Sequence, residues 1–110
     1  MPIPTDAAAA GFDQSLEALS NPRRRRLLTR LKDQNPLEDD SFPGERDAGN
    51  DPDRVLLEMH HSHLPKLVDS GFVDWDREEG VLRRGPRFDE VAPLIELMVE
   101  HRDELPAGWP

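Results

Sequence analysis

Residues 53–84 read DRVLLEMHHSHLPKLVDSGFVDWDREEGVLRR, and the change of periodicity inside this stretch decides the fold. Leu56, Met59, His63 and Leu67 recur at helical spacing with Val55, Leu64 and Val68 beside them, so one long helix is predicted over 53–70. Ser70-Gly71 supplies its stop. Pro65 lies inside that helix, where its ring would meet the carbonyl of His61, so the helix must kink there or begin afresh just before it. From Phe72 the period falls to two. Val73 and Trp75 share one face and Asp74 and Asp76 the other, Arg77-Glu78-Glu79-Gly80 turns the chain with glycine at the left-handed position, and Val81 to Arg84 returns. A hairpin over 72–84 follows.

Upstream, Phe12, Leu16 and Leu19 repeat as a short first helix that Ser20-Asn21-Pro22 interrupts. Asn21 is placed to cap the next helix with Pro22 at its first position, and Leu27, Leu28 and Leu31 form its stripe to about Lys32 or Asp33. Residues 1–11 show no periodicity and read as a disordered or loosely packed leader to a single domain over 12–105. Pro36, Pro43, Gly44, Gly49 and Pro52 exclude a long helix or a central strand between 34 and 53, leaving at most a short turn near Leu37 to Asp40. Downstream, Phe88, Val91, Ile95 and Met98 make one stripe of a helix over 88–103, and Leu94, Leu97 and Val99 add apolar surface elsewhere on it. A domain this small covers one such face. Phe88, Val91, Leu94, Ile95, Leu97 and Met98 are therefore expected at a homodimer interface.

Composition narrows the function. The chain has no cysteine, which excludes disulfides, thiolate metal sites and sulfur redox chemistry. No apolar run approaches the roughly 18 residues of a membrane span, and the first residues lack the regions of a signal peptide, so a cytoplasmic protein is expected. The net charge of −9 argues against nucleic acid, yet 12 arginines stand beside only Lys32 and Lys66, a pairing that resembles proteins of organisms with molar salt in the cytosol. Screening lengths fall to about 3 Å at 1 M salt, so overall charge then matters little. Its placement matters more. Seven acids lie between Glu38 and Asp53 against Arg46 alone, whereas Arg23 to Arg26 with Arg30, and Arg83, Arg84 and Arg87, form two basic clusters.

Helix, helix, long connection, helix, hairpin and helix is the order of a winged helix-turn-helix, a mainly α fold with a β-hairpin wing. The segment from Leu19 to Leu31, LSNPRRRRLLTRL, resembles the opening helix pair of the ArsR family of winged-helix regulators. His63-Leu64, Leu67, Gly71 and Val73 with the following hairpin resemble the end of that family's recognition helix and its wing, over about residues 15–84 in all. The His-Ser-His-Leu-Pro-Lys-Leu stretch at 61–67 is most similar to a haloarchaeal branch. The acidic segment 36–52 replaces a regular helix of the family, and the cysteines of its metal-sensing members are absent.

The resemblance implies a transcriptional regulator that binds double-stranded DNA. Groove contacts would come from the outward face of 53–70, namely Arg54, Glu58, His61, Ser62 and Lys66, and phosphate contacts from Arg83, Arg84 and Arg87 at the wing. Arg23 to Arg26 are expected on a solvated helix face, the alternative being a phosphate contact by one or two of them. His60 and His63 have zinc spacing but no further ligands, so core or interface positions suit them better. No nucleophile, base and acid recur together and no glycine-rich phosphate loop occurs, so neither an enzyme, a cofactor, a metal nor a small-molecule substrate is expected. The alternative is a winged-helix module that binds a protein partner without DNA.

Overall fold

The first helix begins earlier than its apolar spacing suggests and turns a different face inward. In the computed structural model, which describes residues 6–41 and 51–110, helix α1 spans Asp6–Ser20. Residues 6–11, expected in a disordered leader, are helical, and residues 1–5 lie outside the described part. Phe12 and Leu16 are 55% and 48% exposed, whereas Gly11, Ser15, Ala18 and Leu19 are buried. Small side chains explain the choice. At Gly11 a Cβ would meet only the movable ends of Glu90 and Arg87, and Ser15 folds its hydroxyl back to donate to the Gly11 carbonyl at 2.9 Å, so α1 lies against the last helix through small residues.

Helix α2, Pro22–Asp33, follows after one residue. Asn21 caps it as expected, its side chain accepting from the backbone N–H groups of Arg23 and Arg24. Leu27, Leu28 and Leu31 are fully buried, each contributing roughly 1.5–3 kcal/mol of hydrophobic stabilisation. Strand β1, Leu37–Glu38, stands where at most a turn was expected. It pairs antiparallel with the hairpin, Leu37 opposite Leu82, and makes a three-stranded sheet of order β1-β3-β2. Two residues suffice because an edge strand needs partners on one side only. For residues 42–50 the expectation of neither a long helix nor a central strand falls outside the described residues.

The long helix is one rod in three parts: α3, Pro52–Glu58, a π-helical turn, Met59–His63, and α4, Leu64–Asp69. In the π-turn the Leu64 N–H reaches back five residues to the Met59 carbonyl. The wider turn lets the chain enter Pro65 without a break, so the helix neither ends nor restarts there. Strands β2, Val73–Asp76, and β3, Val81–Arg84, form the hairpin, with Trp75 opposite Leu82 and Gly80 at φ +70° in the turn. At its base Gly85 donates to the Phe72 carbonyl at 2.9 Å and Arg87 to the Gly71 carbonyl at 2.7 Å. A Cβ on Gly85 would stand 2.7 Å from the Val73 nitrogen, so only glycine permits this approach.

Helix α5, Phe88–Glu100, closes the core, and a short 3-10 turn, Arg102–Glu104, follows it. Phe88, Val91 and Ile95, expected at a dimer interface, are buried within the chain against α1 and α2. Leu94 and Met98 are half-buried against the same core, and Leu97 is exposed. Phe88, Val91 and Ile95 are therefore covered by α1 and α2 of the same chain, not left for an interface between copies. The architecture is thus mostly helical with one small antiparallel sheet. Among the described residues no helix is long and apolar enough to cross a membrane.

Candidate nucleic-acid interface

The π-turn sorts the histidines of the rod by face. His63 is buried and its Nδ1 has no hydrogen-bond partner. Burial, followed by the positive charges of Arg24, Arg23 and Lys66, holds its pKa below the ordinary histidine value, so it sits in the core as a neutral ring. His60 is half-buried and Nε2 donates to the Asp39 carbonyl at 2.7 Å. Its ring meets Trp75 edge-on at 5.1 Å, and Trp75 Nε1 donates to Asp39 Oδ2 at 3.0 Å. Asp39, whose N–H also donates to the Gly80 carbonyl, thereby ties the rod to the hairpin and fixes their relative position. His61, Ser62 and Lys66 point outward, as their spacing predicts.

Further along the same rod, Arg54 is exposed and pairs with Glu58 at 3.3 Å. Glu58 also pairs with Arg23 of α2, so its carboxylate is neutralised from both sides. The face from 54 to 66 therefore carries Arg54 and Lys66 with no unpaired acid, although Leu57 is exposed among them. Beside it, Asp39, His60, His61, Pro65, Trp75 and Arg77 line an open cleft of about 550 Å³ between rod and hairpin. The Arg77 guanidinium lies over the Trp75 ring, 4.1 Å from its centre. Arg77 was missed from sequence, where its place in an acidic turn hid it. Asp39 left no signal either, because its role arises only when β1 joins the sheet.

The three arginines expected to act together at the hairpin are separated. Arg83 is half-exposed and 3.5 Å from Glu79. Arg84 turns back to donate to the carbonyls of Leu31 and Lys32, capping the end of α2, with its guanidinium over Phe88. Arg87 binds Glu90 at 2.6 Å, Gln14 Oε1 at 2.7 Å and the Ser70 carbonyl at 3.0 Å. The Glu90 hydrogen bond raises the Arg87 pKa and lowers that of Glu90. Arg84 and Arg87 are thus drawn into the fold, and of the three Arg83 alone remains directed away from it.

The four-arginine run does not form a solvated face. Arg24, 8% exposed, donates from Nε to the Ala18 carbonyl at 3.2 Å and from Nη2 to the Glu17 carbonyl at 2.9 Å. Arg25 donates to the Leu19 carbonyl at 2.7 Å, and Arg26 to the Pro110 carbonyl at 2.9 Å. Cations belong at helix C-termini, where carbonyls lack intrahelical partners and the helix dipole is negative. With a single residue between α1 and α2, Arg24 and Arg25 fall on the C-terminus of α1. Among the described residues no three His, Asp or Glu side chains gather as a metal ion would need.

A family model described as a domain of unknown function (DUF7344) matches residues 38–83, from Glu38 of β1 through the rod to Arg83 of the hairpin. No curated protein and no solved structure matches the chain.

Proposed function

We propose that the chain is a winged helix-turn-helix DNA-binding regulator. The rod Pro52–Asp69 acts as the recognition helix in the major groove, and the β2–β3 hairpin acts as the wing along the flanking backbone. One observation carries this reading: Arg54, His61, Ser62 and Lys66 are all exposed along the rod while the acid among them, Glu58, is neutralised by Arg23 and Arg54. Arg77 and Arg83 on the hairpin extend the same charge toward the backbone. Fluorescence anisotropy with genomic fragments, the chain's own promoter among them, in molar KCl tests it. Saturable binding to a subset of fragments is expected. Equal, weak binding to all of them would overturn the assignment.

A homodimer accompanies this reading, held by Leu97 with the outer edges of Leu94 and Met98 on α5 and by Phe12 and Leu16 on α1. Burying large side chains this exposed yields roughly 25 cal/mol per Å², enough for several kcal/mol across a two-fold axis. Light scattering in molar salt should give a dimer that Phe12→Glu with Leu97→Glu converts to a folded monomer. A wild-type monomer would remove the dimer.

The second reading, a protein-binding module without DNA contact, is favoured by Leu57, 58% exposed on the proposed groove face. Leu57→Gln separates the two. It leaves backbone-driven DNA affinity nearly unchanged and abolishes an apolar protein contact.

A further inference from the structure

A cavity of about 230 Å³ opens between α1, the start of α2 and the end of α4, on a different part of the chain from the cleft beside the hairpin. Gln14 and Glu17 of α1, Arg24 of α2, and Lys66, Asp69 and Ser70 of α4 provide its polar walls. Two cations and two carboxylates thus converge, and none of the four forms an ion pair with a described group. For Glu17, Lys66 and Asp69, which are exposed, water meets that need.

Arg24 is different. More than nine-tenths buried, it spends Nε and Nη2 on two backbone carbonyls, and its Nη1 has no acceptor among the described residues. That nitrogen is not sealed in the core, and Arg24 is one of the residues that line the cavity. A guanidinium withdrawn from water with neither carboxylate nor full hydrogen bonding is held at a cost that an anionic ligand would offset. The neutral His63 ring close by registers the same positive field, since Arg24 and Lys66 both disfavour its protonation.

We propose that this cavity binds a small zwitterion of the α-amino-acid class, its carboxylate held by Arg24 and Lys66 and its ammonium by Glu17 and Asp69. The volume lies below the roughly 300–1,000 Å³ of pockets for drug-sized molecules, which suits a small molecule better than a nucleotide or a peptide. Glu17 and Asp69 repel a DNA phosphate or a free polyanion but suit a ligand that carries its own cation. Ala18 and Leu67 add an apolar wall for a short side chain. Gln14 Oε1 is occupied by Arg87, which turns the amide N–H groups free to donate to the carboxylate. The proposal does not depend on DNA binding.

Titration calorimetry on the DNA-free full chain in molar KCl, with the proteinogenic α-amino acids in turn and acetate and inorganic phosphate as controls, tests it. At least one amino acid should saturate the chain. Lys66→Gln and Glu17→Gln should each weaken that binding about tenfold, the loss of one charge-assisted contact. Arg24→Gln removes a helix clasp together with a binding group, so the two surface variants carry the test. The His63 pKa, followed by NMR, should rise on binding because the ligand carboxylate offsets the field of Arg24 and Lys66. Failure of every amino acid to saturate overturns the proposal. So does acetate or phosphate binding as tightly as the best amino acid, or binding that leaves both variants and His63 unaffected.

Discussion

Arg24 and Arg25 at the start of α2 differ from Arg54 and Arg83 in what their guanidinium groups meet. The first pair ends on the carbonyls of Glu17, Ala18 and Leu19, closing the C-terminus of α1. The second pair reaches only single glutamates at 3.3 and 3.5 Å on exposed surface, contacts that salt and a phosphate can displace. Arg84 and Arg87 belong with the first pair although they lie beside Arg83 in sequence. An arginine is thus drawn into the fold or left at the surface by its distance from an unfilled helix end. Local density of charge along the chain does not decide it.

Substitutions sharpen that contrast, and the largest effect is expected where the hairpin base leaves no room. Gly85→Ala forces Cβ against the backbone of Val73 and Gly71, so the base must open and release the Arg87 clasp with it. A loss of about 3 kcal/mol or more in urea unfolding is expected, in the range of severe overpacking. A loss under about 1 kcal/mol would mean that the strands part easily there. Arg24→Ala comes next, at about 2–4 kcal/mol, because two carbonyls lose a charged donor inside the fold. Chemical denaturation should show Arg54→Ala nearly neutral beside it, and equal losses would erase the distinction between the two sets.

The third effect depends on pH. His63 has a lowered pKa in the folded chain, so the folded state takes up its proton less readily than the unfolded state. Its contribution to stability is therefore complete above the ordinary value near 6.5 and is lost as pH falls from there through the folded-state pKa. Denaturation midpoints from pH 8 to 5 should fall in the wild type, and His63→Leu should flatten that dependence. An unaltered slope in the variant would transfer the effect to other groups.

Smaller changes in stability, but informative ones for function, are expected on the outer set. His61→Ala with Lys66→Ala should weaken specific DNA binding by about tenfold or more with thermal unfolding unchanged. Arg83→Gln should weaken all fragments alike and reduce the salt dependence by about one phosphate. If Arg83→Gln changes sequence preference instead, the hairpin reads bases.

Much of this architecture was legible because it rests on local chemistry. The Asn21-Pro22 cap, the leucines of α2, the hairpin turn at Gly80 and the outward position of His61, Ser62 and Lys66 all follow from spacing. What was missed depends on contacts distant in sequence. Phe12 and Leu16 look like a core stripe, but α1 packs against α5 through the small residues Gly11, Ser15 and Ala18 instead. The same contact takes Phe88, Val91 and Ile95 out of the expected interface. Strand β1 is two residues long, too short for any alternation to show, and with it went Asp39 and its link to Trp75 and His60.

The π-turn at Met59–His63 makes the rod two cylinders set out of phase. One surplus residue in a turn rotates everything after it by about 100° relative to an uninterrupted α-helix. The buried stripe widens across it: Val55 and Met59 are four apart before it, and both His63 and Leu64, four and five residues beyond Met59, are buried. The turn therefore acts as a phase shifter between the half of the rod that carries Arg54 and the half that carries Lys66. Deleting one residue from it would rebuild a plain α-helix with Lys66 and Leu67 still on their present faces, whereas tightening the turn to α geometry at full length would rotate both of them about the axis. The distance along the rod would barely change; the angle between its ends would.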